Sequence, residues 1–386
     1  MSTTHSIDDR LAAILAAILC DGDVPVDDLP ATQVVERVLY HGIAGLLAGR
    51  LAAWPEAIAA PLRGQARAQA MWEMRHRVVL GTLLADFAEA GVAVRVLKGT
   101  ALAYDLYARP ADRTRGDTDL LVAPDTLVRA RAVLEAAGYQ PFYDDPVAPG
   151  EARLQEPWRL DHADGTGHEI DLHWQVFNRR SLADSLSVTD AFAGGQPLPA
   201  LCSVAQAMPR HLSLIHACAH RAAHVTSPYF VGGTRHYGGD RLIWLWDIVL
   251  LARALDTAGW EAFAAHAARV GLGPVCAQAL EDAQARLAAP VPAAVLARLG
   301  DPAAAGPAAA YLLSGNSVDR AAHDLMSVKG AAARLRYIRD RLFPPAPFMR
   351  ANYPETPRAP LAWLYLRRFA RFAGALRGAR SGRSRS

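Results

Sequence analysis

Between positions 113 and 123 the chain reads RTRGDTDLLVA, and between 167 and 177 it reads GHEIDLHWQVF. Side chains alternate from face to face along a strand, so Asp117 and Asp119 share one face of the first run. By the same rule Glu169, Asp171 and His173 share one face of the second, with Ile170 and Leu172 on the other. Carboxylates gathered at the end of an apolar sheet repel one another and resist burial unless a cation neutralises them. If the two runs are neighbours, three or four carboxylates converge. Oxygen ligands of that kind suit Mg²⁺ or Mn²⁺, which keep places for water and substrate phosphates. A second feature stands upstream, where Leu97-Lys98-Gly99-Thr100 joins the β-branched run VAVRVL to the helically spaced TALAYDLY. Glycine lets a backbone approach a ligand closely, and N–H groups at a helix start attract anions. A phosphate on the Gly99-Thr100 turn would reach a metal held by Asp117 and Asp119.

The elements that must position these groups follow from the same pattern. Residues 6–20 and 33–52 are spaced as amphipathic helices, and a long helical stretch runs from Pro61 to Ala90, with Gly91 as its stop. Residues 92–97 predict a strand, ARPADRTRG a loop, and DTDLLV a second strand. APDTLVRARAVLEAAGY reads as a helix capped by Asp125 or Thr126 and ended by Gly138. A Pro-, Asp- and Gly-rich loop occupies 144–150, and PWRLDHADGTGHEIDLHWQV predicts a hairpin turning at 164–167. After Pro199 the pattern is helical, with breaks near 226–239, 289–292 and 343–360. No internal repeat is present.

Composition narrows the class of protein. The chain has 386 residues, 52% of them hydrophobic and 20% charged, which is the balance of a globular protein. Its net charge of +3 is concentrated at one end: seven arginines and no acid follow residue 366, leaving 34 basic against 38 acidic groups elsewhere. A globally cationic nucleic-acid binder is therefore not expected. Cys20, Cys202, Cys218 and Cys276 are scattered, without a CxxC, and read as thiols in a reducing compartment. The N-terminal MSTTHSIDDR is polar and no apolar run reaches the roughly 20 residues of a membrane span, so cytoplasmic residence is the expectation.

The strand-Lys-Gly-Thr-helix unit, Arg113, the GDTDLLV strand and the EIDLHW strand resemble the DNA-polymerase-β-like nucleotidyltransferase superfamily. Within it they are most similar to the bacterial group marked by LKG…R…DxDLLV…DLHW. The resemblance covers residues 92–178, with Thr100 where the superfamily usually has Ser or Gly. It implies that Gly99-Thr100 holds a nucleoside triphosphate (NTP), that Asp117, Asp119 and Asp171 bind divalent metal, and that Lys98 and Arg113 touch phosphate. The implied reaction is Mg²⁺- or Mn²⁺-dependent transfer of a nucleoside monophosphate (NMP), AMP from ATP first among them, to a hydroxyl of a small molecule or protein. The acceptor hydroxyl displaces pyrophosphate at the α-phosphorus.

Blander readings stand beside these. A DxD pair alone often only solvates a strand end; it is the turn before it and the ExDxH strand after it that make a site. Glu169 is a ligand or a solvated neighbour. His173 and Trp174 read as a strand-end hydrogen bond and a core indole. His216, His220 and His224 fall on one helix face, as cleft lining ahead of structural bonding or a zinc site. Asp247, in an apolar helix, is expected to pair with a histidine or arginine of the helix before it. FVGGTRHYGGDR reads as a lid or linker, and the arginine-rich end as an amphipathic helix that docks on the body or meets anionic lipid or RNA.

The fold expected is α+β: a small mixed β-sheet nucleotidyltransferase core (91–198) between helical regions at 1–90 and 199–345, then a linker, basic helix and tail (346–386). Two other functions fit the residues, a non-catalytic nucleotide-binding scaffold such as a toxin–antitoxin partner and a metal-dependent phosphohydrolase.

Overall fold

The computed structural model describes residues 3–370 except 20–25, 27–28, 143–153, 226–228, 232–233, 237–238, 315–316, 329, 345, 352, 354–355 and 357. Four helices open it: α1 (Thr3–Ile18), α2 (Ala31–His41), the single-turn α3 (Ala44–Leu47) and the 34-residue α4 (Glu56–Glu89). Then come β1 (Val94–Val96), α5 (Lys98–Asp105), β2 (Asp117–Val122), α6 (Leu127–Ala136) and β3 (Gln140–Pro141). The hairpin β4 (Gln155–Asp161) and β5 (Gly167–His173) follows, then α7 (Val188–Phe192) and a second hairpin, β6 (Gln196–Pro197) and β7 (Gln206–Ala207). The rest is helical apart from the short hairpin β8 (Tyr229–Val231) and β9 (Thr234–His236). Its helices are α8 (Arg210–Val225), α9 (Leu242–Ala254), α10 (Thr257–Arg269), α11 (Gly273–Leu287), α12 (Ala293–Leu299), α13 (Pro307–Leu313), α14 (Ser317–Ser327), α15 (Ala331–Leu342) and α16 (Ala346–Ala351), with a last helical stretch over residues 361–370.

The fold is thus a mixed sheet flanked by helices, with strand order β3-β4-β5-β2-β1-β7-β6. β2 runs parallel to β5 and β1 parallel to β7, while the other neighbours are antiparallel. Four local expectations change. The chain is not helical directly after Pro199, because β6 and β7 extend the sheet to Ala207. α4 begins at Glu56, so Pro61 lies inside its second turn instead of opening it. Thr126 does not cap α6, since its hydroxyl donates to the Ala123 carbonyl. Part of the 230–241 segment is strand, in β8 and β9. The loop at 144–150 and the tail beyond 370 lie outside the described residues. Gly91 does end α4, taking a φ of 65° while Val92 N–H bonds back to Phe87, the geometry glycine permits.

Two apolar cores meet across the sheet. Leu120, Val122, Ile170 and Leu172 point one way and pack with the second half of α4, with α6 and with Trp158 and Trp174. Burying one such aliphatic side chain contributes about 1.5–3 kcal/mol. On the other side Leu97, Leu102 and Leu121 join a larger core built from α1–α3 together with α8–α13, so helices from both ends of the chain form one body. The acid-bearing face of β2 is the face turned to that body.

The middle of α4 is inverted. Gln69, Glu73 and His76 are buried while Met71, Met74 and Val78 are exposed. Hydrogen bonds account for two of the three: Glu73 accepts from the Tyr104 hydroxyl and from Arg115, and His76 Nε2 lies 3.1 Å from Thr118 Oγ1, whereas the buried Gln69 Nε2 has no partner. Burial is tolerable for polar groups satisfied in this way.

Candidate active site

The register of β2 against β5 sets Asp117 opposite Glu169, Asp119 opposite Asp171 and Leu121 opposite His173. Ligand atoms of Asp119, Asp171 and His173 all lie within 4.8 Å of one another, and among the described residues this is the one group arranged to hold a metal ion. Asp117 is two residues nearer the open end of the strand, on the same face, and its side chain reaches solvent. Glu169 is exposed and ion-paired with Arg159, as a solvated neighbour would be.

Lys98 reaches this cluster from the side. Its Nζ donates to Asp119 Oδ1 at 2.5 Å, and Leu97 N–H donates to the Asp119 carbonyl, which ties the β1–α5 junction to β2. Lys98 takes a φ of 49°, a left-handed conformation that costs a residue with a side chain on the order of 1–3 kcal/mol. His173 Nε2 lies 2.9 Å from the same Oδ1, its Nδ1 buried and unpartnered, and Gln155 donates to Asp171 Oδ2 at 2.7 Å. The three acids respond differently. Burial opposes ionisation of Asp119, but Lys98 and the His173 hydrogen bond outweigh it and hold this carboxylate far below its usual range. Asp117, crowded by protein on one side and by the charge of Asp119, is pushed up. Asp171 is pushed up to about 7 by burial and then by Asp119 and Asp117. One lysine satisfies one carboxylate and leaves two under strain.

The helix start beside the cluster is closely packed. The N–H groups of Lys98, Gly99 and Thr100 open α5 and have no carbonyl of their own helix to bond. A Cβ at Gly99 would lie 3.3 Å from the guanidinium of Arg113. Arg113 is itself fixed, donating from Nε and Nη2 to the carboxylate of Asp247 at 2.8–3.1 Å, while Tyr107 donates to the same carboxylate at 2.7 Å. Asp247 therefore pairs with the loop before β2, not with the preceding helix. The Thr100 hydroxyl faces the other way, within reach of Thr118 Oγ1 at 3.0 Å and accepting from Arg115 Nε at 3.1 Å.

Across from Lys98 and Gly99 lies α8. His216 and His220 line a cavity of about 30 Å³ with Lys98, Gly99, Arg113 and Asp247, while His224 packs against His220 and Trp244. That volume holds a water or two but no nucleotide. Burial, then Lys98, keeps His216 neutral, with its pKa lowered to about 3. Trp174 is a core side chain, 1% exposed.

Sequence reasoning placed the acids and the turn but missed two things. The pairing of Tyr107 and Arg113 with Asp247 has no local signal, since more than 130 residues intervene. The polar set on α4 had one: Gln69, Glu73 and His76 recur at four and three residues, the spacing of one helix face.

With this geometry in place, comparison with known families is decisive at one level. The profile of a family of uncharacterised nucleotidyltransferases matches residues 28–288, and the chain belongs to that family. The match takes in helices on both sides of the sheet as well as the strands that carry the acids. Comparison with curated proteins finds none that matches. No helix among the described residues is long and apolar enough to cross a membrane.

Proposed function

We propose that the protein transfers NMP from an NTP, with ATP as the first donor to test, to a hydroxyl of a small-molecule or protein acceptor, releasing pyrophosphate. The polymerase-β-like arrangement, a glycine turn beside acids on two strands, is part of this reading. The observation that carries it is the β2–β5 register, which sets Asp119 against Asp171 beside Lys98. The donor set fits a divalent cation, Mg²⁺ or Mn²⁺: two carboxylates and an imidazole already converge, and two of the three acids lack a counter-charge. Asp117, Asp119 and Asp171 would hold it, and His173 would orient Asp119 through their hydrogen bond. When bound, such an ion neutralises phosphate oxygens and lowers the pKa of the acceptor hydroxyl.

The chain's own groups divide the remaining work. The N–H groups of Gly99 and Thr100 receive the triphosphate, and Lys98, released from Asp119, turns to a phosphate oxygen. Arg113 stands over the turn, where its remaining donors meet the same anion. Asp171 in its carboxylate form accepts the acceptor's proton. The freed oxygen bonds to the α-phosphorus, the bond from that phosphorus to the bridging oxygen breaks, and pyrophosphate departs.

The test is to incubate the protein with α-labelled NTPs, Mg²⁺ and a lysate of its host and to follow the label. Asp117→Asn is expected to abolish transfer with little change in thermal stability, because Asp117 sits at the solvent end of its strand. Wild-type turnover in that variant would overturn the site.

A further inference from the structure

None of the 12 residues of α15 is buried. A helix of that length is marginal in water unless one face is covered. Leu335, Ile338 and Leu342 recur at three and four residues, so they share a face, and all three are exposed, Leu335 at 68%. The apolar stripe continues past the helix end. Phe343, also exposed, meets Tyr365 and Phe369 of the 361–370 helix, with ring centroids 5.6 and 5.7 Å apart, and Arg368 donates to the Arg341 carbonyl at 3.1 Å. Leu364 turns inward with Met349 and Tyr353 into a small core of their own, which leaves Trp363 and Leu366 in water. Six of the fourteen large apolar side chains exposed among the described residues thus fall between 335 and 366, on two helices joined at Phe343. Apolar exposure gathered in this way marks an interaction surface.

The charge of this region selects the partner. Residues 331–386 hold thirteen arginines and two acids, Asp340 and Glu355, whereas residues 1–330 hold 28 basic and 36 acidic groups. The long-range field follows that net charge, whichever arginines are hydrogen-bonded. Arg334, Arg336, Arg339 and Arg341 are exposed along α15 itself; Asp340 pairs with Arg339, and Asp324 on neighbouring α14 is buried. On the last helix Arg367 lies 5.4 Å from the Trp363 ring centroid. Arginines flanking an exposed stripe of Leu, Ile, Phe and Trp are the composition of helices that lie in the plane of a bilayer interface. A nucleic acid would meet the arginines equally well but would leave the aliphatic stripe in water.

We infer that α15 and the 361–370 helix dock on an anionic lipid bilayer. Leu335, Ile338, Leu342, Phe343, Trp363 and Leu366 enter the boundary between headgroups and acyl chains, and the arginines beside them meet lipid phosphates. Docking covers the faces that the fold leaves in water. It is independent of the transfer chemistry, so failure of either leaves the other standing.

The test is flotation of the full chain with phosphatidylcholine vesicles, with and without phosphatidylglycerol. Wild type is expected to float with the phosphatidylglycerol vesicles and to stay behind with phosphatidylcholine alone, and added salt should weaken the association. Ile338→Ser with Leu342→Ser, and separately Trp363→Ser with Leu366→Ser, should each weaken binding about tenfold or more. Met74→Ser, on the exposed stripe of α4, should leave it unchanged. All five positions are exposed, so the fold is expected to survive, which circular dichroism verifies. Absence of flotation with phosphatidylglycerol vesicles, or flotation that the paired serine changes leave untouched, would overturn the docking surface. So would tighter binding to a single-stranded RNA that is lost in the same serine variants, since the surface would then serve to stack bases.

Discussion

In the proposed reading, a proton and a divalent cation compete for Asp171. Its folded pKa, near 7, lies above the ordinary 3.8, so the protonated form is favoured by folding and the contribution is lost as pH rises from about 4 to 7. Asp119 has the opposite sign, but its stabilisation is lost only as pH falls below the ordinary carboxylate range, so the two windows separate. The buried histidines, held neutral, contribute the opposite slope over the same range, so the Asp171 contribution is read as a difference from Asp171→Asn. Without metal, the wild type is expected to lose melting temperature between pH 4 and 7 relative to that variant, and Mn²⁺ to raise the wild type more than the variant at pH 8; identical pH profiles for the two would show that Asp171 is not the source. Gly99 permits a second test at this scale. A methyl there presses on Arg113, which Asp247 holds in place. Gly99→Ala is expected to slow transfer by tenfold or more while its urea midpoint moves little. Unchanged kinetics would remove the turn from the phosphate site.

Among the elements, α4 carries the clearest structural wager, because it buries its polar stripe and exposes an apolar one. The Arg115–Glu73 pair is nearly enclosed, with side chains 3% and 9% exposed. Removing one partner leaves a buried charge alone, at a cost of about 3–5 kcal/mol. Urea denaturation of Glu73→Ala should show that loss. Met74→Ser, on the solvent side of the same helix, should stay within about 0.5 kcal/mol. Equal effects would mean that α4 is turned the other way. The position matters to the site, since Arg115 also donates to Thr100 and so helps hold the first turn of α5.

At the scale of the molecule, the sheet and the helical body are clasped by Arg113, Tyr107 and Asp247 across the cleft mouth. The cavity behind that clasp holds a water or two but no nucleotide. Asp247→Ala should cost about 3–5 kcal/mol by stranding Arg113, and the paired change Arg113→Met with Asp247→Leu should recover much of it. A double variant as unstable as the single one would show that the pair does more than neutralise charge.

The sequence alone determined the local devices. The strands around DTDLLV and HEIDLH, the stop at Gly91 and the Lys98-Gly99-Thr100 junction follow from alternation, glycine freedom and β-branched runs, all of which act over a few residues. It also determined that Asp117 and Asp119, and separately Asp171 and His173, share faces, because period two leaves no choice. Only the tertiary structure decided that β5 lies parallel beside β2, that Lys98 already neutralises Asp119, and that Asp247 answers Arg113. Those outcomes depend on packing and charge balance between segments far apart in the chain, where no spacing rule reaches. His173 marks the border: its face was legible, but its bond to Asp119 emerged only when the strands were brought together.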